Sequence, residues 1–183
     1  MQLSHIRLGL VLVGLLATSA WAEDVNLLKN GQFAAADTAG NPKLWKIRTK
    51  DCKVSIDKDQ KPEGVEQSLK VEIQKQADGL GEIVQGIKEI KTGARYRLEG
   101  SIKSSKAGVG VFQIKLRNGS KEGKRVMTEY SSTEWKTFSS EFVAEGADNI
   151  QVLCRFKQGE EQVNQTVWFA NVKLTLLAAD EAK

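Results

Sequence analysis

Residues 95–103 read Arg95-Tyr96-Arg97-Leu98-Glu99-Gly100-Ser101-Ile102-Lys103. Apolar or small residues alternate there with polar or charged ones, so the pattern has a period of two. Because successive side chains of a β-strand point to opposite faces, this period is typical of a strand with one buried and one solvated face. The stretch therefore predicts a surface strand of an all-β domain.

The same alternation recurs before and after this stretch. It is clearest in residues 69–74, 112–117, 150–157 and 168–176, and shorter candidate strands are residues 52–56, 125–130 and 137–143. Turn-forming residues separate these segments, among them Pro62, Gly64, Gly93, Gly119 and Gly146. Many short strands at this spacing predict an antiparallel β-sandwich.

One segment fits two structures. Ile83, Val84, Ile87 and Ile90 would line one side of a helix, but the central Gly86 disfavours a helix, and the choice between helix and strand stays open. No internal repeat, linker or low-complexity tract interrupts the chain. The sequence therefore indicates one domain.

The beginning of the chain has the features of an export signal. Residues 1–7 form a short basic segment, residues 8–16 form an apolar run, and Ala20-Trp21-Ala22 has the small-x-small form of a cleavage site. The apolar run is too short to span a bilayer as a helix. We therefore expect a signal peptide at residues 1–22, no membrane span and a periplasmic or secreted protein. The folded domain is expected at residues 23–177, with a flexible tail at residues 178–183.

Composition excludes several kinds of chemistry. Without residues 1–22 the chain holds 26 Lys and Arg (27 less Arg7) against 23 Asp and Glu, a net charge of +3, and the single histidine, His5, is lost with the signal. A Ser-His-Asp or Cys-His nucleophile pair and a histidine-ligated metal are thereby excluded. A nucleic-acid-binding role would need a larger basic excess and interleaved aromatic residues, so we exclude nucleic acid as a partner.

Two cysteines, Cys52 and Cys154, follow the predicted signal. In an exported protein an even number of cysteines favours a disulfide, and a metal site would need more ligands. Both residues fall on the apolar side of their predicted strands. We therefore predict a Cys52–Cys154 disulfide inside the sandwich, with two separate buried thiols as the alternative.

Asn26-Leu27-Leu28-Lys29-Asn30-Gly31-Gln32-Phe33 resembles the opening of CenC-type carbohydrate-binding modules. Further landmarks follow in the family's order: Trp45, Ser68-Leu69-Lys70-Val71, Gly93-Ala94-Arg95-Tyr96-Arg97-Leu98, Glu134-Trp135-Lys136 with Phe138 and Phe142, and the closing strand Val167 to Leu174. The resemblance covers residues 26–176. It implies an antiparallel jelly-roll β-sandwich of the galactose-binding-like group and a polysaccharide or oligosaccharide ligand.

The chain departs from the family where a structural calcium ion is often held. Family members often carry an acidic residue after the opening Phe and an Asp pair in the closing strand, whereas this chain has Ala34 and Ala170. Calcium prefers several oxygen ligands, commonly carboxylates. We therefore expect no structural calcium, no other metal and no cofactor.

Candidate ligand-binding residues are of two kinds. Trp45, in the loop after Pro42, fits a sugar-stacking ring and a core ring equally well, and Tyr130, at a predicted strand end, fits an exposed rim position. Trp135 and Trp168 continue apolar alternations and are interpreted as core residues. The second kind consists of polar side chains on the solvated faces of three strands that look adjacent. They are Arg97, Glu99, Gln113, Lys115, Arg117, Asn118, Gln151 and Arg155. The alternative for this second set is an ordinary solvated sheet face.

Together these observations predict an exported, non-catalytic carbohydrate-binding protein, acting alone or beside a separately encoded glycoside hydrolase. A small carboxylate-dependent glycosidase or lyase is the first alternative, because Glu99, Glu129 and Glu141 lie on or next to predicted strands. A structural or adhesive sandwich without sugar binding is the second. Fold alone does not decide among them.

Overall fold

The computed structural model describes residues 25–177, so the predicted signal peptide and the predicted tail lie outside the described residues. Ten strands form two five-stranded antiparallel sheets. The strands are β1 (Lys46–Arg48), β2 (Cys52–Asp57), β3 (Ser68–Ile73), β4 (Leu80–Lys88), β5 (Arg95–Ser104), β6 (Gly110–Asn118), β7 (Lys121–Met127), β8 (Lys136–Val143), β9 (Asn149–Lys157) and β10 (Thr166–Leu176). The predicted antiparallel sandwich is confirmed.

The strand order shows how the chain crosses between the sheets. The first sheet has the order β1-β4-β9-β6-β7, and the second has the order β2-β3-β10-β5-β8. A single 3-10 turn, Glu160–Gln162, precedes β10. Within residues 25–177 there is no helix with the length and hydrophobicity needed to cross a bilayer.

The core lies between the two sheets and follows the alternation of the sequence. In β5 the inward residues Tyr96, Leu98 and Ile102 are at most 1% exposed. Gly100 occupies the inward position between Leu98 and Ile102, where an added Cβ would lie 2.8 Å from the ring of Phe112 on the opposite sheet. A glycine is needed there because the aromatic ring fills the space that a side chain would take.

The segment that fitted both helix and strand is strand β4. It pairs with β9 along its whole length, from Leu80 opposite Lys157 to Lys88 opposite Asn149. Its inward residues include Ile83, which is fully buried, and Gln85, whose amide bonds the backbone of Lys29 and Leu44. Tertiary pairing therefore overrides a local pattern that was compatible with a helix.

The opening motif fixes the start of the chain against β10. The Asn26 side chain donates to the carbonyl of Val172 at 3.0 Å and accepts from the backbone N–H groups of Leu28 and Leu174. A Cβ on Gly31 would lie 2.1 Å from the Val172 carbonyl oxygen, so only glycine allows this approach. Asn26 and Gly31 of the motif therefore have a structural role.

The interpretation of Trp168 as a core residue is wrong. In β10, Val167 and Phe169 point inward and Trp168 lies opposite Lys70 and Lys103 on the outer face of the second sheet. Asn171 has a φ of 49°, and the register shifts between Ala170 and Lys173. This bulge reverses which residues face the core, so one uninterrupted alternation does not describe the strand.

The predicted disulfide is also wrong, because both cysteines are free. Cys154 lies on β9 at the centre of the first sheet, whereas Cys52 begins β2 at an edge of the second. The Cys52 sulfur accepts a hydrogen bond from Nε2 of Gln158 at 3.1 Å, and Gln158 follows Cys154 by four residues, about 13 Å along an extended strand. The alternative of two separate thiols holds, with Cys154 fully buried and Cys52 half-buried.

Candidate functional site

The outer face of the first sheet gathers most of the predicted polar residues, and we call it the charged face. The strand register places two carboxylates on it, Glu82 and Glu122. Eight basic side chains share it: Lys46, Arg48, Lys88, Lys115, Arg117, Arg125, Arg155 and Lys157. The face is therefore an array of cations with few carboxylates.

Glu82, on β4, is the centre of an ion-pair cluster that spans four strands. Its Oε1 lies 3.1 Å from Nη1 of Arg48, and its Oε2 lies 3.6 Å from Nζ of Lys115 and 3.7 Å from Nε of Arg155. The side chains of Glu82, Lys115 and Arg155 are only 12% to 14% exposed. One carboxylate thus binds three cations in a partly desolvated setting, where each interaction is stronger than at an open surface.

Glu122, on β7, contacts three basic side chains. It pairs with Arg125, its Oε2 lies 3.9 Å from Nζ of Lys115, and the same oxygen lies 4.0 Å from Nη1 of Arg117. The hydrogen bond from Arg125, with the charges of Lys115, Arg125 and Arg117, holds the pKa of Glu122 below its ordinary value. Lys115 links the two clusters because it contacts both carboxylates.

The cations rest on an apolar layer, although the face is an outer one. Val84, Val111 and Leu153 point outward in the register yet are at most 4% exposed. Gln113 is 1% exposed, and its Oε1 accepts a hydrogen bond of 2.6 Å from Nη1 of Arg155. The long basic side chains thus shield this layer, which fixes where their charged groups lie.

A notch opens in this layer at Gly86. Gly86 lies opposite Gln151 on β9, which in turn lies opposite Lys115 on β6. A Cβ added at Gly86 would meet no atom within 4 Å beyond its own chain neighbours. Opposite this space, Oε1 of Gln151 is buried without a hydrogen-bond partner. A buried acceptor without a donor is costly, and rotation of the Gln151 side chain toward the notch would bring this oxygen within reach of a ligand hydroxyl.

The structure brings together five of the predicted polar residues and separates three. Gln113, Lys115, Arg117, Gln151 and Arg155 share the charged face. The expectation that all three strands are neighbours is wrong, because β5 belongs to the second sheet. Arg97 and Glu99 therefore lie on the opposite outer face, and Asn118 lies at the end of β6, where its Nδ2 bonds the Gly146 carbonyl at 3.1 Å.

The sequence reasoning did not identify Arg48, Glu82, Gly86, Glu122 and Arg125 as parts of the face. Glu82 and Gly86 belong to the segment that fitted both helix and strand, and Arg48 to a strand of three residues. Glu122 lies between the predicted strands, and Arg125 was only the first residue of the short candidate strand 125–130. A period of two across Glu82, Val84 and Gly86 is the one signal that would have identified residues 80–88 as a strand.

The two candidate aromatic residues have different environments. Trp45 is 6% exposed, packs 5.4 Å from Phe33 between ring centroids and donates its Nε1–H to the Asn30 carbonyl. Its ring belongs to the core, so the expectation that it would stack on a sugar is wrong. Tyr130 is 39% exposed, and Nζ of Lys157 lies 4.6 Å from its ring centroid, at the end of the charged face. Tyr130 therefore occupies a rim position.

The residues at the family's calcium position do not fit calcium. Ala34 and Ala170 have no side-chain oxygen, and the Phe33 carbonyl accepts a hydrogen bond of 2.5 Å from Nε2 of Gln67. That carbonyl oxygen is thus already bonded to an amide N–H of the protein. Among residues 25–177 no group of three or more Asp, Glu, His or Cys is arranged to hold a metal ion.

Comparison with solved structures finds sandwiches of the same architecture. The xylan-binding domain CBM22-1 of Xyn10C from Paenibacillus barcinonensis is 16% identical with a TM-score of 0.61, over 85% of this chain and 97% of that one. A CBM4 structure is 15% identical with a TM-score of 0.57, over 81% and 99%. The enzymatically active domain of tailspike protein 4 from bacteriophage CBA120 is 13% identical with a TM-score of 0.65, over 83% of this chain and 21% of that one.

These likenesses place the chain in the class of two-sheet sandwiches to which CBM4 and CBM22 modules belong. The chain spans nearly the full length of those two modules but only about a fifth of the tailspike domain. Comparison with curated protein sequences found no match. The family model described as a carbohydrate-binding domain matches residues 25–161, so the chain belongs to that family, CBM_4_9, and the predicted resemblance is confirmed.

Proposed function

We propose that this chain is an exported, non-catalytic carbohydrate-binding protein that holds a polysaccharide or oligosaccharide against the charged face. The observation that carries the proposal is the notch at Gly86, which lies opposite Gln151, a residue whose buried Oε1 has no hydrogen-bond partner. Lys115, opposite Gln151 on β6, supplies a donor, and Gln151 supplies an acceptor. Sugar hydroxyls both donate and accept, so this set of groups is matched to them.

The carboxylates of the face support binding without catalysis. Glycoside hydrolysis needs one carboxyl group that protonates the leaving group and one that acts as base or nucleophile. Glu82 and Glu122 are instead each paired with several cations, and the hydrogen bond from Arg125 and the nearby positive charges lower the pKa of Glu122. Both groups are therefore suited to positioning the basic side chains.

The proposal also includes export of the protein and a partner enzyme. Residues 1–22 are proposed to direct export and to be removed after Ala22, which leaves a periplasmic or secreted protein. Some similar sandwiches lie within enzymes, such as the xylanase Xyn10B of Clostridium thermocellum crystallised with xylohexaose. This supports a role beside a separately encoded glycoside hydrolase. N-terminal sequencing of the exported protein tests the cleavage, and activity on a polysaccharide panel tests the absence of catalysis.

The binding site is tested by filling the notch. Gly86→Leu places a side chain over Gln151, and the open surroundings of Gly86 should keep the fold intact. Affinity electrophoresis against a panel of neutral and acidic polysaccharides should show retardation of the wild-type protein and its loss in the variant. Ser139→Leu, on the exposed outer side of β8, is the matched control and should bind normally. Equal retardation of all three proteins would place the site elsewhere.

A further inference from the structure

We propose that the charged face selects acidic polysaccharides, whose uronate or sulfate groups bind its surplus of cations. This inference rests on the proposed function and adds the chemical class of the ligand. The face carries eight basic side chains against two carboxylates, a surplus of six positive charges. The whole chain has a net charge of only +4, so the rest of the molecule does not share this excess.

The surplus remains after every ion pair of the face is counted. Five cations contact only two carboxylates: Arg48, Lys115 and Arg155 contact Glu82, and Arg117 and Arg125 join Lys115 around Glu122. Lys115 and Arg155 are largely removed from solvent, so their mutual repulsion is poorly screened. An anionic ligand would relieve this repulsion, whereas a neutral ligand would leave it in place.

The distribution of aromatic rings points the same way. No Trp, Tyr or Phe lies among the outward residues of the five strands that form the charged face within the described chain. Tyr130 stands only at the rim, Trp45 is in the core, and Trp168 is on the other sheet. Stacking on an aromatic ring is a main source of affinity for an uncharged sugar, so a face without rings has to bind mainly through charge and hydrogen bonds.

The geometry suits a linear polymer with regularly repeated anions. Five strands at about 4.8 Å spacing span about 19 Å from β1 to β7, the length of a short oligosaccharide. Arg155 and Lys157, and likewise Lys115 and Arg117, repeat along their strands every second residue, about 6.7 Å apart. Guanidinium groups also match carboxylate and sulfate oxygens with two parallel hydrogen bonds.

A nucleic acid would satisfy the charge but not the rest of the site. Binding of single strands relies on aromatic side chains that stack on bases, and the charged face has none. The unpartnered acceptor of Gln151 needs a donor, which a sugar hydroxyl offers and a phosphodiester oxygen does not. The observations therefore favour an acidic polysaccharide.

The test compares ligands that differ in charge. Dissociation constants of the purified protein are measured for polygalacturonate, chondroitin sulfate, neutral xylan and duplex DNA, at about 50 mM and about 500 mM salt. We expect the acidic polysaccharides to bind at least about tenfold more tightly than xylan at low salt and to lose most of that advantage at high salt. The two acidic polymers separate carboxylate from sulfate recognition.

Charge-removal variants locate the effect. Arg117→Gln/Arg125→Gln removes two cations of the face whose side chains are 23% and 55% exposed, so the fold should be retained. We expect affinity for the preferred acidic polymer to fall by about tenfold or more, with xylan binding unchanged. The matched control Lys53→Gln/Lys173→Gln removes the same charge from the second sheet and should leave both affinities unchanged.

The outcomes separate this inference from the proposed function. If xylan binds as tightly as the acidic polymers at both salt concentrations, charge selection is wrong and carbohydrate binding stands. If no polysaccharide binds, the proposed function itself is wrong. If DNA binds as tightly as polygalacturonate, or if the control pair weakens binding as much as Arg117→Gln/Arg125→Gln, the face is a general electrostatic surface and the inference fails.

Discussion

The outer faces of the two sheets are built from the same kind of alternating strand, yet their charges are arranged differently. The first bears a surplus of six positive charges, concentrated around Glu82 and Glu122. The second has six basic residues, Lys53, Lys70, Arg95, Arg97, Lys103 and Lys173, against four acidic ones, Asp57, Glu72, Glu99 and Glu141. Its surplus is therefore only two.

The second face pairs several of its charged groups locally, although the buried Oγ1 of Thr175 has no hydrogen-bond partner. Arg97 and Glu141 form a pair of 2.7 Å across neighbouring strands, and the Trp168 indole donates to Oδ2 of Asp57 at 3.0 Å. On the first face one carboxylate serves three cations, and an amide oxygen lacks a partner. The faces therefore differ in charge: a surface with nearly balanced, paired charges suits solvation, whereas one with a large surplus of cations suits an anionic ligand.

The comparison is sharpened most by removing one carboxylate from each face. Glu82→Gln leaves Arg48 and Arg155 without a counter-charge and Lys115 with Glu122 alone, in a setting that is 12% to 14% exposed at Lys115 and Arg155. We expect the free energy of unfolding to decrease by about 2 kcal/mol. This is less than the cost of breaking a fully buried ion pair, because the cluster around Glu82 is still partly solvated. Urea denaturation with linear extrapolation measures it.

Glu141→Gln is the matched control on the second face. Glu141 and Arg97 are 43% and 34% exposed, so the pair is screened and its loss should cost no more than about 0.5 kcal/mol. Equal costs for the two substitutions would mean that the cluster around Glu82 is no more desolvated than an ordinary surface pair.

Asp57 tests whether the second face is held by hydrogen bonds. Its Oδ1 accepts from the backbone N–H groups of Asp59 and Gln60 at 2.9 and 3.0 Å, and its Oδ2 accepts from Trp168. Asp57→Asn keeps only one acceptor oxygen and removes the charge, so we expect a loss of about 1 kcal/mol. A double-mutant cycle with Trp168→Phe isolates the indole contact, and a coupling near zero would contradict the assigned bond.

Local alternation was sufficient to predict most of the strands but not their partners. Side-chain period two depends only on neighbouring residues, so residues 95–103 and 150–157 were assigned correctly. Sheet membership depends on long-range pairing: β9 inserts between β4 and β6, whereas β5 pairs with β8 and β10. This is why Arg97 and Glu99 were grouped with Gln151, which lies on the other sheet.

The candidate site was only partly predictable for a related reason. Gln113, Lys115 and Gln151 were found because polar residues alternate with core residues on β6 and β9. Glu82 was missed because β4 also fitted a helix, and the carboxylate gains its importance only when Arg48 and Arg155 approach from neighbouring strands. Such clusters form only when the register of several paired strands brings their side chains together, and the sequence of one strand does not determine that register.

The pKa values of Asp57 and Glu122 should respond differently to salt. Partial burial raises the pKa of Asp57, but hydrogen bonds from Gln60, Trp168 and Asp59 outweigh it, so the net direction is downward. The pKa of Glu122 is lowered by the Arg125 hydrogen bond and three nearby positive charges. Because salt screens charges more than hydrogen bonds, added salt should raise the pKa of Glu122 more than that of Asp57. NMR titration of both carboxyl groups measures this.

The sign of the stability effect follows from these directions. A carboxyl group whose pKa is lowered by folding stabilises the protein above its unfolded pKa, and this contribution is lost as the pH falls through the lower folded value. Below about pH 4 the wild type should therefore lose stability more steeply than Asp57→Asn, by at most about 0.5 kcal/mol after solvent screening is considered. Parallel acid curves for the two proteins would mean that Asp57 contributes nothing through its charge.

The smallest expected effect is that of a reductant, because the two sheets carry one free cysteine each. Cys154 lies in the core behind the charged face, and Cys52 begins the edge strand of the second sheet. Burial raises the pKa of the Cys154 thiol well above its usual value, and partial burial raises that of Cys52 despite hydrogen bonds from Thr49, Gln74 and Gln158. Since the thiolate is the reactive form, the native protein should react slowly at Cys52 and not at Cys154.

A thiol count on unreduced protein checks this arrangement. We expect two thiols after denaturation and the same melting temperature with and without dithiothreitol, because the sheets are joined by packing alone. The control Cys52→Ser should leave one thiol, which reacts only after unfolding. A count of zero in the denatured wild type, with a melting temperature lowered by reductant, would mean that a covalent bond links the sheets. Cys52 would then have to leave its contact with Gln158, and the first residue of β2 would have to move toward the centre of the first sheet, where Cys154 lies.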